Sequence, residues 1–393
     1  MIPKTMCAVL LTGHGGTEKL KYKTDVPVPE PKPQEVLIRV AAAGINNTDI
    51  NTRIGWYSKQ NYHSTDAGGT KEFDTIDDRD ATWSGTPLKF PRIQGADVCG
   101  YIAAVGEGIS VSRVGERVLV KNMLRSYVNY RPYECWTLGS ECDGGFAQFC
   151  VAPSKETYKI NCCWTDIELA AIPCAYSTAE NMLHRVNLRN EKILITGASG
   201  GVGSACVQLA KLRGAYVIAL CSQEKSETLK TLGADLVFGR DVDLVAKLGE
   251  ESVDIILDVV GGPQWPRLLN TWRRGGRYAS AGAIAGPVCE LDMRQLYLKD
   301  LTFFGCTFQE DIVFQNLVKY IEKDQFRPII AKTYPLKEIV KAQEEFLLKN
   351  KLANVLIISD NDSMKNINKS ARNIKNVKLI KEEGTNIYDL FKF

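Results

Sequence analysis

The stretch "ITGASGGVGSACVQLAK", residues 195–211, decides the fold. Its first residues complete the apolar strand "KILITG", and Val202, Ala205, Cys206, Leu209 and Ala210 then recur at helical spacing, one face of an amphipathic helix. A strand that turns through glycines into a helix leaves free N–H groups and the positive end of the helix dipole where a pyrophosphate can sit, and glycine lets the backbone approach it. Strictly, the first glycine of G-x-G-x-x-G is Ala198, which leaves Gly200, Gly201 and Gly203. The strand-turn-helix context carries the assignment of a dinucleotide site, formed by Ser199, Gly200, Gly201, Val202 and Gly203.

The next strand, "YVIALC", selects the cofactor. A site for NAD ends this strand in Asp or Glu, which would repel a 2′-phosphate. Here it ends in Cys221, followed by Ser222 and Lys225. A hydroxyl and an ammonium without a carboxylate favour NADP(H); alternatively Lys225 is a solvated helix-start residue, and Glu224 beside it counts against the phosphate.

Outward from this unit, "LVFG", "SVDIILDVVGG", "RYASAGAIAG" and "LTFFGCT" alternate with helical stretches, the pattern of a doubly wound parallel sheet with an α/β fold. Upstream, "TDIE" and "STAE" read as two capping boxes flanking Pro173. Residues 1–154 are instead strand-rich: "CAVLLT", "EVLIRVAAAG", "DVCGYIAAVG", "GERVLV" and "GGFAQFCVAP" describe a barrel-like β domain. "EVLIRVA" alternates as a strand with one buried face. Residues 58–92 and 121–143 interrupt this domain, either as binding loops or as plain insertions.

Composition excludes more than it identifies. With 393 residues, 45% hydrophobic content and a net charge of +3, the chain has no basic surface suited to nucleic acid. The tail from Asn361 to Phe393 holds seven Lys or Arg against four Asp or Glu, so the body is nearly neutral and the tail reads as a solvated appendage. The N-terminus reads as a strand and not a signal peptide, and no apolar run approaches bilayer length. Twelve scattered cysteines without a disulfide framework fit a reducing cytoplasm. Those expectations are a soluble, cytoplasmic protein with no membrane partner.

The ordered set "GINNTD", "VGEGIS", "GERV", "DGGFAQF", "ITGASGGVG", "DVVGG" and "LTFFGCT" resembles the medium-chain dehydrogenase/reductase superfamily, most closely its zinc-free quinone oxidoreductase branch. The likeness covers residues 5–358 apart from the two insertions. It implies a GroES-like substrate domain (residues 1–154, completed by 308–359) around a Rossmann domain (155–307), with 360–393 as a tail and the active site in the cleft. It further implies that Thr178, Val259, Ala281, Gly282 and the backbone of Cys306 approach the nicotinamide. A homodimer or homotetramer is expected from it as well.

Zinc-dependent members place a thiolate, an imidazole and a second thiolate where this chain has Asn46, Ala96 ("QGADVCG") and Cys174. A catalytic zinc needs three protein ligands, which Asn and Ala cannot supply, so no zinc is expected. Nor do Cys135, Cys142 and Cys150 reproduce the four-cysteine structural lobe. The expected reaction is NADP(H)-dependent hydride transfer to a quinone or an α,β-unsaturated carbonyl, electrophilic enough to react without a metal. Candidate donors to the developing oxyanion are Asn46, Thr48 and Tyr57, although Asn46 and Asp49 could equally cap the next helix, and Tyr57 could be a lid aromatic. Two alternatives stay open: a zinc-type alcohol dehydrogenase using His63 with Cys174, and a non-catalytic NADPH-binding redox sensor.

Overall fold

The structure is a computed structural model that describes residues 1–69, 73, 76, 77, 79–348 and the strand Val355–Ser359. Parts of the first insertion, residues 351–354 of the "KLANVL" departure and the tail 360–393 lie outside the described residues.

Six parallel strands form the sheet that the glycine turn foretold. Their order is Leu236–Gly239, Tyr216–Cys221, Lys192–Ile195, Val253–Asp258, Trp272–Ser280 and Thr302–Gly305, so the winding reverses beside Lys192–Ile195. Period-two alternation sends Ile193, Ile195, Ile255 and Leu257 into one core, and Leu194 and Ile256 into another on the opposite face. Both faces are therefore covered, as a parallel sheet requires. The helix Gly201–Leu212 is buried from Gly203 to Ala210, well beyond the single face its pattern suggests. It packs on the sheet and against the helix Ala175–Arg185, where Gln208 Nε2 donates to the Tyr176 hydroxyl at 2.8 Å.

The antiparallel region is organised around Glu35–Ile45, which pairs with Cys99–Val105, Phe149–Pro153 and Val355–Ser359. One buried face was expected for this strand; every residue but Arg39 is buried. The reason is its central position: Val36, Ile38 and Ile45 fill the β-domain core, whereas Ala42 packs into the core shared with the nucleotide sheet.

A second departure concerns the helices around Pro173. Thr165 and Glu168 form the expected capping box ahead of Asp166–Ala170. Ser177, however, is no cap: the next helix begins at Ala175, and the Ser177 hydroxyl donates to Asn122 Oδ1 at 3.2 Å. Glu180, the other half of the expected box, is fully buried and paired with Arg213 at 2.6 Å. Tertiary partners thus outbid local capping, and the shift places Cys174 at the helix start, facing the carboxylate of Asp97.

Candidate active site

Two helix beginnings face one another across a cavity. On one side Glu35–Ile45 runs directly into the helix Asn47–Arg53, which with its N-cap Asn46 brings Asn46, Thr48 and Asn51 to the wall. On the other, Ala175 and Thr178 from the helix Ala175–Arg185 meet the glycine turn at residues 199–203. The same cavity is lined by Tyr57, Val259, Ala281 and Gly282, so residues from five separate stretches of the chain converge. Cys221, Ser222, Lys225 and Cys306 are not part of this lining. Cys221 is buried with its thiol on the Ser222 carbonyl, and the Cys306 amide is spent on the Ser280 carbonyl at 2.9 Å.

One end of the cavity is organised around Thr48. Its hydroxyl oxygen accepts from Tyr57 Oη at 3.2 Å and from Trp83 Nε1 at 2.7 Å. With both lone pairs taken, the one hydroxyl hydrogen of Thr48 is free to donate. Tyr57, in contrast, has committed its proton to Thr48, and burial pushes its phenol well above the ordinary value while Asn51 hydrogen-bonds the same oxygen. Trp56 meets Tyr57 edge-on, and the Trp83 ring lies 5.1 Å from that of Tyr57, so an aromatic wall backs the donor.

Asn46 has one amide hydrogen on Asp97 Oδ2 at 2.8 Å, while its backbone N–H donates to Asp49 Oδ2 at 2.8 Å. Asp49 is therefore a helix-start residue: it also accepts from the Gly95 and Ala96 amides, at 3.2 Å each. Burial raises both the Asp49 and the Asp97 carboxyl to about 7, against hydrogen bonds that pull them down. Cys174, half-buried in the cavity wall beside both carboxylates, has its thiol pushed well up by burial and is no thiolate at neutral pH.

At the positions where zinc-dependent relatives hold ligands, the donor set of Asn46, Ala96 and a neutral Cys174 thiol does not fit a catalytic zinc. Among the described residues, no group of three or more His, Cys, Asp or Glu is arranged to hold a metal ion. His63 lies outside the cavity lining and stacks on Phe73, with ring centroids 6.2 Å apart. No described helix is long and apolar enough to cross a membrane.

At the cofactor end the turn is closely made. A Cβ on Gly203 would stand 2.2 Å from the Gly197 carbonyl oxygen, and Gly197 itself has φ +55°. Beyond the strand Tyr216–Cys221, Ser222 Oγ and Lys225 Nζ are buried without hydrogen-bond partners. Burial and neighbouring Arg240 lower the Lys225 ammonium to about 8. Three polar groups, two of them unpaired, suit an anion, and the residues fit a 2′-phosphate. Arg240 was missed by reading the sequence. Its signal was available: a basic residue directly after "LVFG", at the carboxyl end of the strand paired with Tyr216–Cys221. Trp83, Asn51 and Asn122, also in the lining, carry no motif.

Comparison with known proteins places these features in context. Residues 32–162 match the alcohol dehydrogenase GroES-like domain family, and residues 201–323 the zinc-binding dehydrogenase family. Residues 308–393 match the ribosomal protein L4/L1 family. A solved structure from Sinorhizobium meliloti 1021, provisionally described as an alcohol dehydrogenase, is 41% identical, with 92% of this chain and 98% of that one covered and a TM-score of 0.80. A quinone oxidoreductase of Lama guanicoe is 29% identical over 87% of this chain and 94% of its own length. An acryloyl-coenzyme A reductase of Metallosphaera sedula is 27% identical over 90% of this chain and 99% of its own.

Proposed function

Since the chain belongs to the medium-chain dehydrogenase/reductase superfamily and is an oxidoreductase of that type, we propose that it is an NADP(H)-dependent enzyme that reduces a quinone or an α,β-unsaturated carbonyl without a catalytic zinc. One observation carries the reading: a neutral hydrogen-bond donor set stands opposite the glycine turn, where a Lewis acid would otherwise be needed.

Gly200, Gly201 and Gly203, with the helix they start, would hold the pyrophosphate, and Ser222, Lys225 and Arg240 the 2′-phosphate. Thr178, Val259, Ala281 and Gly282 would flank the nicotinamide, which supplies hydride when bound in its reduced form. Thr48 donates its free hydrogen to the acceptor oxygen as negative charge develops there. Tyr57 and Trp83 act through Thr48 by occupying its lone pairs, which leaves it no role but donor. The second amide hydrogen of Asn46 is available to the same oxygen. Such donors suffice for an acceptor whose conjugation already spreads the incoming charge, whereas an isolated ketone would demand more. The names of the relatives, a quinone and an acryloyl thioester reductase, describe acceptors of that kind.

The reading includes a homo-oligomer. Among the described residues the strand Thr302–Gly305 pairs on one edge only, and Phe303, Tyr297 and Leu298 beside it are exposed. Transfer of deuterium from C4-labelled NADPH into a conjugated enone, followed by mass spectrometry, tests the chemistry. Label on the β-carbon of the product is expected; solvent hydrogen at that carbon would refute the reading.

A further inference from the structure

Asp97 is fully buried, faces no cation and has no place in the chemistry above. A carboxylate taken from water without a compensating charge is costly and is retained only where its hydrogen bonds are needed. Its two oxygens are used differently. Oδ2 accepts from Asn46 Nδ2 at 2.8 Å, and Oδ1 accepts from the backbone amide of Cys174 at 2.6 Å. Asn46 precedes the helix that lines the acceptor side, and Cys174 precedes the helix that lines the nicotinamide side. These residues lie 51 and 77 positions from Asp97 in sequence, so the bond to each is purely tertiary.

The backbone makes room for this contact. A Cβ on Gly44, two residues before Asn46, would stand 2.3 Å from Asp97 Oδ2 and 2.8 Å from the Ala170 carbonyl oxygen. The loop that carries Asp97 is tied down as well, with the Gly95 and Ala96 amides on Asp49 and Gln94 Nε2 on the Asp49 carbonyl at 2.8 Å. The groups facing Asp97 are thus Asn46, Cys174 and the carboxylate of Asp49, and no positive charge.

We propose that Asp97 is a positioning residue whose carboxylate locks the orientation of the Asn46 amide and ties the acceptor-side helix to the cofactor-side helix. In its ionised form the carboxylate only accepts, so Asn46 then turns its NH₂ and not its carbonyl toward residue 97. An amide at 97 removes that constraint: it can satisfy Cys174 with its oxygen while its own NH₂ draws the Asn46 carbonyl around. The proposal rests on the reading of Asn46 as an acceptor-binding group.

Asp97→Asn keeps shape and volume. Expected are a kcat about 10- to 100-fold lower, short of the full loss of a donor because Asn46 is misoriented and not removed, a KM for NADPH within about twofold of wild type, and a melting temperature within a few degrees. Unchanged kcat overturns the proposal. The double variant Asn46→Asp with Asp97→Asn rebuilds an amide–carboxylate pair with reversed polarity, and turnover should stay low because residue 46 then offers only acceptors. If turnover recovers, the contact is merely structural and the proposal is wrong. Hydrogen exchange of the Cys174 amide in Asp97→Ala tests the tie without any substrate: faster exchange than wild type is expected, and an unchanged rate overturns it. A wild type that consumes no NADPH with any acceptor, together with faster Cys174 exchange in Asp97→Ala, would sink the proposed activity and uphold the tie.

Discussion

Thr48→Val is the perturbation that separates the donors most cleanly. Valine matches threonine in shape, so the change deletes a hydroxyl and little else. That hydroxyl accepts from Tyr57 at 3.2 Å and from Trp83 at 2.7 Å, and its single hydrogen is the one left for the acceptor oxygen. Loss of an oxyanion donor costs about 100- to 1,000-fold in kcat. Stability should change less. Tyr57 and Trp83 would each lose a partner, at about 1–3 kcal/mol for a buried group, but both are only half-buried and water can replace part of the loss. The total should stay near ~2 kcal/mol, a fall of a few degrees in Tm for a domain of this size. Tyr57→Phe removes one donor into Thr48 and leaves the hydrogen of Thr48 in place, so its cost should be about tenfold or less, well below a full oxyanion donor. Steady-state kcat with a quinone and an enone, alongside thermal melting, reads both variants. If Tyr57→Phe proved as damaging as Thr48→Val, the phenol would be the direct donor and the hydrogen-bond assignment would be wrong.

Three further outcomes are expected. Lys225, lowered to about 8, must be protonated to pair with a phosphate, so NADPH affinity measured by fluorescence titration should fall as pH rises through about 8 while NADH affinity stays flat. Gly203→Ala forces a methyl to 2.2 Å from the Gly197 carbonyl oxygen, and the turn must shift; NADPH binding should weaken about tenfold or more although alanine favours a helix in isolation. Asp97 is raised to about 7 from 3.8, so the native protein binds that proton more tightly than the unfolded chain. Its contribution is therefore intact below about pH 4 and lost as pH rises to about 7. The Tm of wild type should accordingly drop relative to Asp97→Asn across that window.

The sequence disclosed the nucleotide sheet because its signals are local. The glycine turn, the apolar strand before it and the periodic helix after it lie within twenty residues. Strand order is a matter of pairing and was not legible, although the turn at residues 199–203 does lie beside the point where the winding reverses. Where local and tertiary interactions compete, local reading failed. "STAE" has the residues of a capping box, but Ser177 is held by Asn122 and Glu180 by Arg213, so the helix starts earlier. Within the site, Asn46, Thr48 and Tyr57 were found as candidates, yet their division of labour was not. Thr48 is left with only a hydrogen to donate because Trp83, 35 residues away in an insertion without motifs, takes its second lone pair. Asp97 escaped for the same reason, since it acts on segments remote in sequence, whereas Arg240 had a local signal that went unread.

The central claim is that activated acceptors are reduced with NADPH and without metal. The direct test is NADPH consumption by chelator-treated protein, with quinone, enone, simple aldehyde and simple ketone compared side by side and metal content measured on the same sample. The account predicts turnover with the quinone or the enone that is undiminished by chelation and exceeds the rate with NADH. Activity confined to the simple carbonyls, abolished by the chelator and restored by zinc, would contradict it.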